Sequence, residues 1–96
     1  YELDSHLFEN LEELTYLNLS NNNIDLFDNN LFGDLISLTN LNLSKNRITS
    51  LNRRIFWNLK KLQYLELDEN RLSYLNEDLF ENLTSLKKLN LSRNNL

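Results

Sequence analysis

Leucine and asparagine recur along this chain with a fixed period of 24 residues. Shifting the chain on itself by that interval superposes Leu14, Leu38, Leu62 and Leu86, then Leu17, Leu41, Leu65 and Leu89, then Leu19, Leu43, Leu67 and Leu91. An unbroken asparagine column follows, Asn22, Asn46, Asn70 and Asn94, and Ile24, Ile48, Leu72 and Leu96 close the set. Each unit reads L-x-x-L-x-L-x-x-N-x-(I/L), and a fixed period of this size marks a solenoid of stacked units, none of which can bury its apolar face alone. The stretch from Leu14 to Leu19 ends in outward and inward alternation, which predicts a short strand with Leu17 and Leu19 facing the core. Stacking aligns such strands in a parallel sheet.

The other half of each unit is equally periodic. Leu3, Phe27, Leu51 and Leu75 form one column, and Leu7, Leu31, Ile55 and Leu79 another. Phe8, Phe32, Phe56 and Phe80 make a third, and Leu11, Leu35, Leu59 and Leu83 a fourth. With polar spacers between them, these segments are expected to return along the outside as irregular or short helical turns. Being wider than the strand spacing, they curve the stack with its sheet on the concave side. Each asparagine of the unbroken column falls where the chain leaves its strand. Asparagine tolerates left-handed backbone and offers both donors and acceptors, so the column is expected to satisfy turn backbone groups that lack a ladder partner.

These motifs resemble the leucine-rich repeat family over the whole chain, and the phenylalanine column resembles its typical 24-residue subclass, found in animal extracellular proteins such as Toll-like receptors and small matrix proteoglycans. The resemblance implies a right-handed α/β-type solenoid with a concave parallel sheet, at the cell surface or outside the cell. Where that subclass often carries proline, this chain has Asp4, Asp28, Asn52 and Asn76. The glycine and I-P pair of the plant-type repeat are missing, as is the longer helical repeat of the ribonuclease-inhibitor type. Cysteine-rich caps, usual at the ends of extracellular arrays, are also missing. Residues 1–96 make four whole units beginning at Tyr1, so the chain is expected to be a processed product or a segment of a longer array.

Composition narrows the function. With 41% apolar and 25% charged residues the balance is that of a globular chain, and 96 residues allow one domain. The net charge of -4, with both signs interspersed, offers no footprint for nucleic acid. No apolar run approaches the roughly 18 residues of a membrane span. Without cysteine there is no thiolate nucleophile or thiolate metal site. His6 is the sole histidine, and its repeat equivalents are Asn30, Arg54 and Asp78, so periodicity builds no histidine cluster. Gly33 is the only glycine, which excludes a phosphate loop and a G-x-S-x-G nucleophile turn. Neither cofactor nor metal is expected, and binding is favoured over catalysis.

Candidate contacts lie on the outward columns of the strand half: Tyr16, Asn40, Tyr64 and Lys88; Asn18, Asn42, Glu66 and Asn90; Ser20, Ser44, Asp68 and Ser92; Asn21, Lys45, Glu69 and Arg93. The third unit stands out because Tyr64, Glu66, Asp68 and Glu69 converge there beside Arg47, Arg71 and Lys88. Tyrosine and arginine are enriched at interface hot spots. Two plainer roles are open: Lys45, Glu69 and Arg93 also fit a charge ladder that only supports the stack, and Arg47, Arg71 and Arg93 could offset the crowded carboxylates. A second candidate patch on the outer side gathers Arg53, Arg54, Trp57, Lys60 and Lys61, although Trp57 also fits as a cover for Phe56. Sequons at Asn18, Asn42 and Asn90 arise inside the repeat pattern, and glycans there would crowd the sheet. Asn82, outside the strand, is the better acceptor.

Three roles are compatible with these residues. The first is a segment of a receptor-like or secreted ectodomain that recognises a protein ligand. The second is a structural matrix or adhesion array contacting copies of itself or flanking repeats. An engineered or truncated scaffold is the third, and the diversity of surface residues between repeats argues against a pure consensus design. No membrane contact is expected of the segment itself.

Overall fold

The computed structural model describes residues 3–96. Four strands, β1 (Tyr16–Asn18), β2 (Asn40–Asn42), β3 (Tyr64–Glu66) and β4 (Lys88–Asn90), form one parallel sheet in chain order. The register keeps the 24-residue period: Leu17, Leu41, Leu65 and Leu89 are direct neighbours, as are Tyr16, Asn40, Tyr64 and Lys88. The chain is a right-handed solenoid with this sheet on its concave face.

The strands are shorter than the Leu14–Leu19 pattern predicts, yet the hydrogen-bond ladder outruns them at both ends. Before the strands, the amides of Thr39, Gln63 and Lys87 each donate to the preceding repeat at 2.8 Å. Beyond them, Leu43 donates to Glu66 O and Lys45 to Asp68 O, at 2.8 and 3.0 Å. The ladder then reverses direction, with Arg71 N donating to Ile48 O at 2.9 Å. Sequence patterning marks which side chains point inward; where the regular strand ends is decided by the turn geometry that follows.

That turn holds a correction. The left-handed residue is not the unbroken asparagine but the one before it: Asn21, Lys45, Glu69 and Arg93 have φ of 58°, 57°, 54° and 56°. The asparagine column acts as a bracket between repeats. Nδ2 of Asn70 donates to Leu67 O and Asp68 O in its own repeat, at 3.1 and 3.3 Å, and to Leu43 O in the preceding one at 3.0 Å. Its Oδ1 accepts from Ile48 N at 3.1 Å. Asn46 and Asn94 repeat the arrangement, taking the amides of Ile24 and Leu72. Buried polar atoms in this turn are therefore satisfied by side chains where the sheet cannot reach.

The convex half is a chain of tight turns with no helix among the described residues. In the third repeat Ile55, Trp57, Leu59 and Leu62 each donate to the carbonyl three residues back, at 3.0–3.1 Å. The carboxylates and amide in the proline-replacing column start these turns: Oδ1 of Asp4, Asp28 and Asn52 each accepts the amide two residues on, at 2.9 Å. Such Asx turns pre-shape the backbone by a hydrogen bond where proline would do so by its ring. Inside, the phenylalanine column stacks with centroid spacings of 6.2, 6.5 and 6.3 Å from Phe8 to Phe80. Phe32 and Phe56 are fully buried, together with Leu35, Leu41, Leu65 and Leu67. Leu7 and Leu11, in the first repeat, remain 50% and 43% exposed, because burial here depends on having a neighbour on both sides.

Candidate protein-binding surface

The middle two concave columns carry a local device that recurs in three repeats. Asn18 Oδ1 accepts from both the amide and the hydroxyl of Ser20, at 2.9 and 2.7 Å. Asn42 does the same with Ser44 and Asn90 with Ser92. Each Asn-Leu-Ser triplet is thus a clasp that ties the strand end to the start of its turn. This gives the three concave sequons a structural reason for being in the repeat pattern.

In the third repeat the clasp is replaced by Glu66 and Asp68. Two ionised carboxylates have acceptors only, so no clasp can form between them. Both side chains are half-buried. Among the described residues neither carboxylate accepts a hydrogen bond or joins an ion pair. The expected offset by arginine is confined to Arg93, whose Nη1 lies 3.6 Å from Glu69 Oε1. Arg47 and Arg71 stay exposed on the rim without such a pair, and Lys45 does not join Glu69 in a ladder. The third repeat gives up two hydrogen bonds present in its neighbours and, at Glu66 and Asp68, holds negative charge without a partner among the described residues.

Beside Glu66 the sheet is hollowed. Tyr16, Asn40, Leu41, Asn42, Tyr64 and Glu66 line a concavity of about 140 Å³. It exists because Asn40 is short and lies between two tyrosines in the same column, Tyr16 at 58% and Tyr64 at 37% exposure. The structure thus brings Tyr16, Tyr64 and Glu66 together, places Asp68 and Glu69 farther along the same strand end, and leaves Lys88 beyond Tyr64 on β4.

A family model for the leucine rich repeat matches residues 1–48 and 36–96, which together span the chain. The chain belongs to the leucine-rich repeat family. Among solved structures, the repeats are similar to Toll in its complex with Spatzle from Drosophila, with 33% identity and a TM-score of 0.94 over 97% of this chain. The same values hold for the glycosylated form of that complex. The leucine-rich repeat domain of APL1B is also similar, at 33% identity and a TM-score of 0.84 over 96% of the chain. The chain spans 12% of the Toll chain and 27% of the APL1B chain. No curated protein sequence matches it.

On the outer side of these leucine-rich repeats, the predicted basic patch is only partly assembled. The Arg54 guanidinium carbon lies 5.6 Å from the centre of the Trp57 ring, which is 42% exposed. Arg53 turns away to Asp78 of the next repeat, at 3.4 Å. Lys60 and Lys61 are exposed and take no part in either contact.

One column escaped the sequence reading. Asn58 Nδ2 donates to Gly33 O at 3.0 Å and Asn82 Nδ2 to Trp57 O at 3.1 Å, while Asp34 accepts the amide of Asn10 at 2.9 Å. This is a second polar bracket, on the convex side, and the periodic set Asn10, Asp34, Asn58 and Asn82 was its signal. The sequon residue Asn82 is therefore half-buried and engaged through the nitrogen that a glycan would modify.

Proposed function

We propose that this chain is a protein-recognition segment of a receptor-like or secreted ectodomain, working at the cell surface or outside the cell by binding rather than catalysis. Its contact surface is the concave third repeat, with Tyr64, Glu66 and Asp68 at the centre and Tyr16, Glu69, Arg47, Arg71 and Lys88 around them. The observation that carries this reading is the missing clasp, since a repeat that forgoes stabilising hydrogen bonds for uncommitted carboxylates beside an exposed tyrosine is suited to an external partner. The likeness to Toll, a protein solved in complex with Spatzle, supports a protein as that partner. Asn82 is the favoured glycan acceptor, because a glycosylated amide keeps one N–H for the Trp57 carbonyl and the sugar would lie off the concave face.

The test uses the intact protein carrying these repeats. A photo-crosslinking residue placed at Tyr64 or at Trp57 identifies a protein captured from the native source, and its affinity is then measured against variants. Tyr64→Ala and the double change Glu66→Asn, Asp68→Ser are expected to weaken binding more than tenfold, with Trp57→Ala within twofold. Losses under twofold at the concave residues, with a large loss at Trp57, would move the site to the outer patch.

A further inference from the structure

We infer that the hollow between Tyr16 and Tyr64 is a receptor for one arginine side chain of a protein partner, held between the two rings with its guanidinium on Glu66. The inference rests on the concave third repeat being the partner surface, and goes beyond it by naming what enters. Size is the first argument. At about 140 Å³ the hollow is smaller than the roughly 300–1,000 Å³ of sites that enclose whole small molecules, so a single side chain fits it better than a free ligand.

Spacing is the second. Tyr16 and Tyr64 are two strands apart in one column, with Asn40 between them. Two strand spacings amount to about 9.6 Å, and a planar group in contact with a ring on each face at about 3.5–4 Å needs about 7–8 Å. The column therefore leaves room for one flat layer between the rings, with the short Asn40 as its floor. A guanidinium is planar, weakly hydrated and stacks on aromatic faces, whereas an ammonium is a compact, strongly hydrated point charge.

Charge is the third. Glu66 lines the hollow and has no ion pair within the described residues, and Asp68, likewise without one, adds negative charge along the same strand end, whereas Glu69 is offset by Arg93. Lys88, the nearest cation by register, lies across Tyr64 on the far side from Asn40 and does not line the hollow. A hollow that presents the Glu66 carboxylate, with Asp68 close behind it, in a chain of net charge -4 attracts a basic segment and repels an acidic one.

The experiment titrates the intact protein, labelled with ring-¹³C tyrosine, with acetyl-Gly-Arg-Gly-amide, its lysine counterpart and its uncharged citrulline counterpart. The arginine peptide is expected to move the Tyr16 and Tyr64 ring signals together and saturably, leaving Tyr74 in place. Citrulline should bind roughly tenfold more weakly, as should arginine to Glu66→Gln, because each change removes a charge-assisted hydrogen bond. Glu9→Gln should change nothing. Unmoved rings, equal binding of citrulline, or an unaffected Glu66→Gln protein would each overturn the inference. If these arms fail while Tyr64→Ala still loses the protein partner, the arginine slot is wrong and the docking face stands. If they succeed while the Tyr64→Ala protein keeps its partner, the guanidinium site is upheld and the docking face falls.

Discussion

Replacing Asn70 by alanine removes a side chain that touches two repeats, and the hydrogen bonds around it allow the loss to be apportioned. Three carbonyls lose a donor, but each keeps another: Leu43 O retains Asn46 Nδ2, Leu67 O retains Asn94 Nδ2, and Asp68 O retains the Lys45 amide. The Ile48 amide has no substitute, because Asn70 Oδ1 is its acceptor in a fully buried setting. One orphaned buried N–H costs about 1–3 kcal/mol, and the weakened carbonyls add about 1 kcal/mol, so the expected loss is ~2–4 kcal/mol. Asn22→Ala is the internal comparison. That side chain is exposed and donates to Leu19 O and Ser20 O of its own repeat, so its removal should cost under about 1 kcal/mol. Asn76→Ala, which removes a single bond to Leu51 O, should also stay near that level. Urea titration of the intact protein measures the loss, with an unchanged slope required before midpoints are compared. Amide exchange should accelerate at Ile48 and not at Ile24, whose acceptor is Asn46. Equal losses for Asn70→Ala and Asn76→Ala, or an Ile48 amide that exchanges no faster, would refute the bracket.

Restoring the clasp by Glu66→Asn with Asp68→Ser should stabilise the stack by about 1 kcal/mol, the net worth of a hydrogen bond or two, in the same titration; a loss would show that the carboxylates serve the fold. Phe56→Ala should cost about 3–5 kcal/mol, because it empties the middle of a stacked and fully buried column, whereas Trp57→Ala next to it should cost under about 1 kcal/mol. Lys45→Gly should raise stability by roughly 0.5 kcal/mol, since relief of the left-handed conformation at φ 57° slightly outweighs the added chain entropy, and calorimetry showing a destabilised protein would contradict that balance.

The repeat length, the inward columns and the position of the asparagine bracket were all legible in the sequence, because each follows from the kind of side chain that recurs at a fixed interval. Leu41, Leu65 and Phe56 are buried as their columns required, and Asn46 and Asn70 sit where backbone groups lack ladder partners. Tertiary structure alone decided what depends on distance between repeats and on backbone handedness. Lys45 and Glu69 are long charged residues that carry no sign of a left-handed turn, yet they adopt it because the ladder bonds of their own amides hold the chain there. The Asn-Leu-Ser triplets read as sequons in the sequence, and only the stacked structure shows each Oδ1 accepting from its serine. Arg71 follows the third-repeat carboxylates in sequence and Arg47 holds the same column one repeat earlier, yet both are exposed and neither pairs with those carboxylates. The hollow depends on Tyr16 and Tyr64 lying two repeats apart with a short side chain between them, a juxtaposition that only stacking in register creates.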